Sequence, residues 1–166
     1  TYPLPEAQLD RFLLQVDVLY PEISAERQIL LETTGVSDRR ASAVISSERL
    51  VEIQKLIRQM PVSDTVVDAI LSLVRSARPG NGHALTDKTV SWGPGPRAAQ
   101  ALMLTVRARA LLDGRLVPSI SDVAAMAKPV LQHRMALSFA ARARGETLTG
   151  LIDRTVSRTL KQEAAA

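Results

Sequence analysis

Two glycines and two prolines in a row, Gly93-Pro94-Gly95-Pro96, constrain this chain more than any other segment. They break the preceding structure and set the start of a helix, because glycine is tolerated at the N-cap and proline at the first helical position. From Arg97 to Leu112 no further helix breaker occurs. The pattern predicts a helix over this range that is apolar around most of its circumference and central to a helical bundle.

Arg97 lies in the first turn of that predicted helix. The first backbone amides of a helix lack partners within the helix, and the helix dipole adds partial positive charge there. This arginine therefore lies next to a position that can bind a phosphate. The alternative is a capped core helix whose arginine extends to solvent or pairs with a carboxylate. Spacing alone leaves both interpretations open. Arg97, Gln100 and Arg107 fall within one sector of the helix, which predicts a polar strip along it.

Hydrophobic periodicity predicts further helices on both sides. The predicted ranges are a short turn at 5–11, then 24–34 with Ser24 as cap and Ile29 and Leu30 inward, 47–60, 63–78, 120–134 interrupted at Pro129, and 147–162. Ser119 and Asp122 predict a capping box, Asp113-Gly114 ends the central helix, and 79–90 is expected to be a polar, mobile loop.

One segment has the alternation of a strand, Leu14 to Tyr20. Everything after Pro21 is typical of helix or loop, so the partners of this strand are expected in residues that the chain does not contain. The chain also enters patterned sequence directly at Thr1, which favours a preceding segment.

Composition narrows the function classes. Hydrophobic residues make up 46% of the chain, enough for a core, while aromatic residues make up 3%, too few for base stacking as a main binding mode. There is no cysteine, and His83 and His133 stand far apart, so a metal site is not expected. Residues 1–96 carry 10 Lys or Arg against 12 Asp or Glu, a net −2, whereas 97–158 carry 10 against 4, a net +6. The basic half is compatible with nucleic acid, a phosphate ligand or an acidic partner.

The sequence lacks the motifs of several well-known active sites. There is no glycine-rich phosphate-binding loop ending in Gly-Lys-Ser/Thr, no nucleophile elbow and no Cys/His pair. The remaining candidates are arginines, whose usual catalytic part is to neutralise charge on a transferred phosphoryl group.

Two segments resemble one family. Residues 2–12, Tyr-Pro-Leu-Pro-Glu-Ala-Gln-Leu-Asp-Arg-Phe, are similar to the conserved box of MoxR-family AAA+ ATPases, and Trp92 to Gln100 resembles their sensor 2 motif. The likeness continues in order through 33–35, 51–61, 108–115 and 129–134. Pro94 departs from the family pattern, where a small residue such as alanine is frequent.

The resemblance implies a mainly α fold, a helical lid domain preceded by a remnant of the ATPase core. It divides the chain into a core remnant at 1–21, containing the strand near 14–19, and the lid at 22–166. In this family the phosphate-binding loop, the magnesium-coordinating acids and sensor 1 lie upstream of the box. The chain then corresponds to the C-terminal portion of such an ATPase, and by itself it is expected to lack activity and to bind ATP weakly or not at all.

The resemblance also implies roles for two residues. Arg11 occupies the position of the arginine finger, which reaches the ATP of the neighbouring subunit, and Arg97 the sensor 2 position, which touches the γ-phosphate of its own subunit's ATP. For Arg11 the alternative is a surface salt bridge with Asp10 or Glu6. Arg107, His133 and Arg134 are expected in polar contacts of the bundle or at an interface. No residue is assigned to a metal.

For the full-length protein the resemblance implies ATP and Mg²⁺ as cofactors and a homo-oligomeric ring, a hexamer. It further implies a partner with a von Willebrand factor A domain, chaperone-like remodelling of client proteins and a cytoplasmic location without membrane association. Two other hypotheses stay open at this point: a basic helical module that binds nucleic acid, and a protein-interaction bundle that uses no nucleotide.

Overall fold

The computed structural model describes residues 4–36, 41–83 and 85–163, with only the backbone of 162 and 163. The chain is mainly helical, as predicted. Its elements in order are α1 Glu6–Leu9, α2 Ile23–Thr33, α3 Ser47–Gln59, α4 Asp64–Ser76, β1 Val90–Trp92, α5 Pro96–Leu112, α6 Ile120–Leu131, β2 Ala136–Leu137, α7 Phe139–Ala143 and α8 Leu148–Glu163.

Four helices, α4, α5, α6 and α8, enclose one aliphatic core. Helix α5 packs on α6, α4 and α3, and it is therefore the central element that its sequence predicts. Ala98, Leu102 and Val106 of α5 are completely buried. At roughly 25 cal/mol per Å² of apolar surface removed from water, this aliphatic packing is the main source of stability in the bundle.

Both ends of α5 and the start of α6 form as the sequence predicts, whereas α6 ends at Leu131 rather than at the predicted Arg134. Gly95 is the N-cap of α5 with Pro96 at its first position, and Gly114 follows its end with a φ of 74°, a value that favours glycine. A capping box joins Ser119 and Asp122 at the start of α6. The predicted interruption at Pro129 is wrong, because α6 continues through it to Leu131. Burial of the last residues of α6 in the core outweighs the hydrogen bond that proline cannot donate.

A small antiparallel sheet, which sequence reasoning missed, joins β1 to β2. Val90 pairs with Leu137, and Trp92 pairs with Ala136. These strands of two and three residues are too short to show an alternating pattern. Just before β1, Thr86 is completely buried, so the segment predicted as a loosely held polar loop contributes to the core boundary.

One prediction near the N-terminus is wrong, and another stays a prediction. Residues 14–20 have no strand partner among the described residues, and because that partner is expected outside this chain, the strand stays a prediction. Helix α2 has Glu22 rather than Ser24 as its N-cap, and Ile29 and Leu30 are exposed, since no described element covers them.

Two further expectations concern the domain boundary and the conserved box. The division of the chain after residue 21 stays a prediction. Tyr2 and Pro3 of the conserved box lie outside the described residues. Within the described residues, no helix has the length and apolar character needed to cross a membrane.

Candidate functional site

The segment that follows α1 lies along the C-terminal end of α6. The Gln15 amide donates to the Pro129 carbonyl at 2.8 Å, and the Gln132 side-chain amide donates to the Gln15 carbonyl at 3.1 Å. These bonds join residues more than a hundred positions apart in the sequence. They place the end of the conserved box against the 129–134 segment.

Arg134 is the main anchor of that segment. Its side chain is 2% exposed. Its guanidinium donates to the carboxylate of Asp10 at 3.1 Å and to the backbone carbonyls of Asp10, Phe12, Leu13 and Val130. Burial lowers the pKa of Arg134, and the hydrogen bond to Asp10 opposes that shift. A planar guanidinium suits this task, because it offers five donors in a fixed geometry.

His133 adds a second contact to the same segment. Its Nε2 lies 3.2 Å from the Phe12 carbonyl, whereas its Nδ1 is buried without a hydrogen-bond partner among the described residues. Desolvation lowers the pKa of His133, although the contact with Phe12 opposes that change. The neutral ring with its proton on Nε2 donates to the Phe12 carbonyl and leaves Nδ1 as an unpartnered acceptor among the described residues. His133 and Arg134 thus make polar contacts within the bundle.

Asp10 lies between two arginines. One carboxylate oxygen accepts from Arg134, and the other lies 3.9 Å from Nη1 of Arg97. Arg97 is 52% exposed, so its pairing with Asp10 contributes about 0–1 kcal/mol. The buried arginine therefore fixes Asp10, while the exposed arginine remains able to exchange this partner for another anion.

Arg11 and Arg97 share one surface depression of about 340 Å³. Arg134, Gln100 and Asp10 also line it, so three arginines face a single carboxylate there. Arg11 is exposed and forms no ion pair with any described residue, which excludes the alternative pairing with Asp10 or Glu6 in this structure. The structure thus brings together the two arginines that the sequence singles out.

The segment that leads into α5 packs against the turn after α4. A methyl group added to Gly93 would lie 2.8 Å from Pro79 Cδ and 3.0 Å from the Ala77 carbonyl oxygen, so only glycine fits this approach. The Nε of Arg78 donates to the Pro94 carbonyl at 2.8 Å. These contacts fix the backbone that presents Arg97.

The predicted polar strip on α5 divides into two parts. Gln100 lines the depression with Arg97, whereas Arg107 lies further along the helix, half-buried and with its Nε lacking a partner among the described residues. Arg107 is not part of the depression. Sequence reasoning missed Asp10 as a positioning residue. Its place directly before Arg11 in the conserved box is the signal that could have found it.

Comparisons with known proteins support the resemblance seen in the sequence. The AAA lid domain family matches residues 83–154. Chaperone MoxR1 from Mycobacterium tuberculosis is 33% identical over 144 residues, which cover 86% of this chain and 38% of that protein. Protein MoxR from Methylorubrum extorquens is 29% identical over 153 residues, which cover 82% of this chain and 44% of that protein. The chain belongs to the MoxR family of AAA+ ATPases.

A solved structure shares the arrangement of this MoxR-family chain. It is the crystal structure of a candidate ATPase from Cytophaga hutchinsonii, with a TM-score of 0.85, 26% identity and 95% of this chain covered. The present chain covers 48% of that structure and less than half of each MoxR relative named above. It therefore corresponds to the portion of the family that contains the lid.

Proposed function

We propose that this chain is the lid-containing portion of an ATP-hydrolysing MoxR-type ATPase, in which Arg11 and Arg97 bind a nucleotide phosphate. One observation carries the proposal: both arginines line one depression at the N-terminal end of α5. A guanidinium binds phosphate oxygens through two parallel hydrogen bonds, and the helix end adds partial positive charge.

The fit to a phosphate rests on charge. Three arginines and one aspartate line the depression, which leaves an excess of positive charge. The Arg97 pair with Asp10, at 3.9 Å and exposed, is weak enough for a phosphate to replace. Arg134 keeps Asp10 satisfied when Arg97 leaves, because it donates to the same carboxylate at 3.1 Å. ATP supplies the phosphoryl group, and the arginines neutralise the charge that develops on it.

The shared depression favours one phosphate for both arginines. The sequence resemblance assigns Arg11 to the neighbouring subunit's ATP and Arg97 to the ATP of its own subunit. Two side chains that line one depression of about 340 Å³ are better placed to meet the same anion. We therefore propose that both contact one nucleotide at the subunit boundary.

The whole protein is proposed to act as a chaperone-like ATPase. A homo-oligomeric ring, a hexamer, would supply the boundary at which the arginines act, and Mg²⁺ would accompany ATP. No three His, Cys, Asp or Glu side chains come together as a metal site in the described residues. Remodelling of client proteins, a partner with a von Willebrand factor A domain and a cytoplasmic location complete this proposal. One relative is itself named a chaperone.

ATP turnover of the full-length protein tests the two arginines. Arg11→Ala is expected to lower turnover by about 10³-fold or more, the range for arginine fingers. Arg97→Ala is expected to lower turnover while the helical circular dichroism is unchanged, and Arg97→Lys should restore little, because lysine cannot bind phosphate bidentately. Arg142→Ala, an exposed arginine on α7, is the matched control. Unchanged turnover in Arg97→Ala would refute its role.

Mixed rings decide whether the arginines serve one nucleotide or two. If they serve different nucleotides, a mixture of Arg11→Ala and Arg97→Ala subunits contains some intact sites, and activity returns. If one chain supplies both arginines to one phosphate, every site lacks one arginine and the mixture stays inactive. We expect the inactive mixture.

A further inference from the structure

A second cavity lies away from the arginine depression, between the C-terminal half of α4, α8 and the residues His83, Leu85 and Thr86. Its volume is about 220 Å³. At roughly 30 Å³ per water molecule in the liquid, this is room for about seven waters. That volume suits a small ion better than a nucleotide or a peptide, since sites for drug-sized ligands measure about 300–1,000 Å³.

The exposed side of this cavity is basic. Arg75, His83 and Arg158 line it, and no acidic residue is among its lining residues. Neither arginine forms an ion pair with a described residue. The acidic residue nearest in sequence, Asp87, accepts a hydrogen bond from the Gly80 amide instead. Two arginines without acidic partners that line one cavity can bind an anion through charge-assisted hydrogen bonds.

The buried side of the cavity is lined by hydroxyl-bearing residues. Ser76 donates to the Leu73 carbonyl at 2.9 Å, so Thr159 is the donor in its 3.0 Å contact with Ser76. Thr86 donates to the Ser76 carbonyl at 2.8 Å, and Thr155 donates to the Leu151 carbonyl at 2.8 Å. The hydroxyl protons are thus used inside the protein. The Ser76 oxygen accepts from Thr159, whereas the oxygens of Thr86, Thr155 and Thr159 keep lone pairs that can accept a further hydrogen bond.

We propose that this cavity binds inorganic phosphate. The two arginines and the histidine bind its charged oxygens, and a hydroxyl oxygen of the buried side accepts the proton that phosphate retains near neutral pH. Sulfate has the same shape and no proton to donate. The dianion of a phosphate monoester also lacks that proton above its pKa of about 6. The combination therefore selects inorganic phosphate over both.

Calorimetric titration of the 166-residue chain with sodium phosphate tests the proposal, with sodium sulfate and glycerol phosphate titrated in parallel at equal ionic strength. Phosphate is expected to bind at least about tenfold more tightly than either, because the other two leave a buried acceptor unpaired. Backbone amide shifts in a nuclear magnetic resonance titration should move at Ser76, Thr86, Thr155 and Thr159. Equal affinity for phosphate and sulfate would overturn the proposal.

The double variant Arg75→Ala, Arg158→Ala should weaken phosphate binding by about a hundredfold, since hydrogen bonds to charged groups each change affinity by about tenfold or more. The control removes the same charge elsewhere: Arg142→Ala on α7 together with Arg144→Ala at the residue that follows α7, two side chains that are exposed and outside the cavity. Both variants should keep the helical circular dichroism. Unchanged phosphate affinity in the first variant, or equal losses in both, would refute the site.

Discussion

Replacement of Arg134 by methionine tests how the conserved box is attached to the bundle. Methionine keeps most of the apolar stem and removes the guanidinium that bonds to Asp10 and three further carbonyls. Breaking a buried ion pair costs about 3–5 kcal/mol. We expect the lower end, about 3 kcal/mol, because Asp10 is 21% exposed and keeps Arg97 at 3.9 Å.

The loss should appear as local detachment rather than global unfolding, because residues 10–15 are joined to the bundle mainly by this network. Hydrogen exchange of the Gln15 amide measures the detachment, since this amide donates to Pro129. A cost of about 3 kcal/mol corresponds to exchange that is about 100-fold faster. Amides in the middle of α5 should exchange as before.

Arg97→Met is the matched control, since Arg97 contacts the same carboxylate from the exposed side. Its cost should stay below about 1 kcal/mol, and Gln15 exchange should change by less than about fivefold. If the two variants accelerate Gln15 exchange equally, or if Arg134→Met leaves it unchanged, the assignment of Arg134 as the anchor is wrong.

Three further predictions concern stability. Hydrogen bonds from Arg115 hold the pKa of Asp122 well below its usual range. This carboxylate therefore stabilises the fold above about pH 4, and its contribution is lost as the pH falls below that value. In urea unfolding, Asp122→Asn should show a free energy of unfolding about 3 kcal/mol lower at pH 7 and a weaker dependence on acid. Gly93→Ala should cost about 1–3 kcal/mol in calorimetric unfolding, because its methyl group would meet backbone at 3.0 Å, whereas Gly95→Ala, whose methyl group has its nearest atom at 3.9 Å, should cost about 1 kcal/mol or less. Burial lowers the pKa of His133 in the fold, so stability should fall as the pH drops below about 6.5, the ordinary value, and His133→Gln should remove that component; an identical pH profile in the variant would contradict it.

The helices with strong periodicity could be predicted from sequence, because their apolar faces pack within this chain. Helix α4 buries Val66, Ile70 and Val74 as its spacing requires. Where an apolar pattern stays exposed, the physical cause is a missing partner. Of the segment that alternates like a strand, Leu14 packs against the core, whereas Val16 to Tyr20 and the apolar residues of α2 have no covering element in the described residues. A periodic pattern predicts which face of an element can be buried, but it does not show which other element covers that face.

Only part of the candidate site could be predicted from the sequence. Arg97 follows from local sequence, since the Gly-Pro motif fixes a helix start at that position. The resemblance contributed Arg11. Neither source could show that both line one depression, because the contact depends on Arg134 joining residues 124 positions apart. Long-range pairings of single polar side chains leave no periodic trace in a sequence.

The network around Arg134 has a mechanical consequence. One wall of the arginine depression is the 10–13 segment, which Arg134 holds just beyond the end of α6, and the other wall belongs to α5, which packs on α6. Both walls are therefore carried by the same helix and move as one body. Any hinge that opens or closes around a bound phosphate must lie outside this unit, so the backbone positions of Arg11 and Arg97 keep their spacing while the unit as a whole approaches or leaves the phosphate.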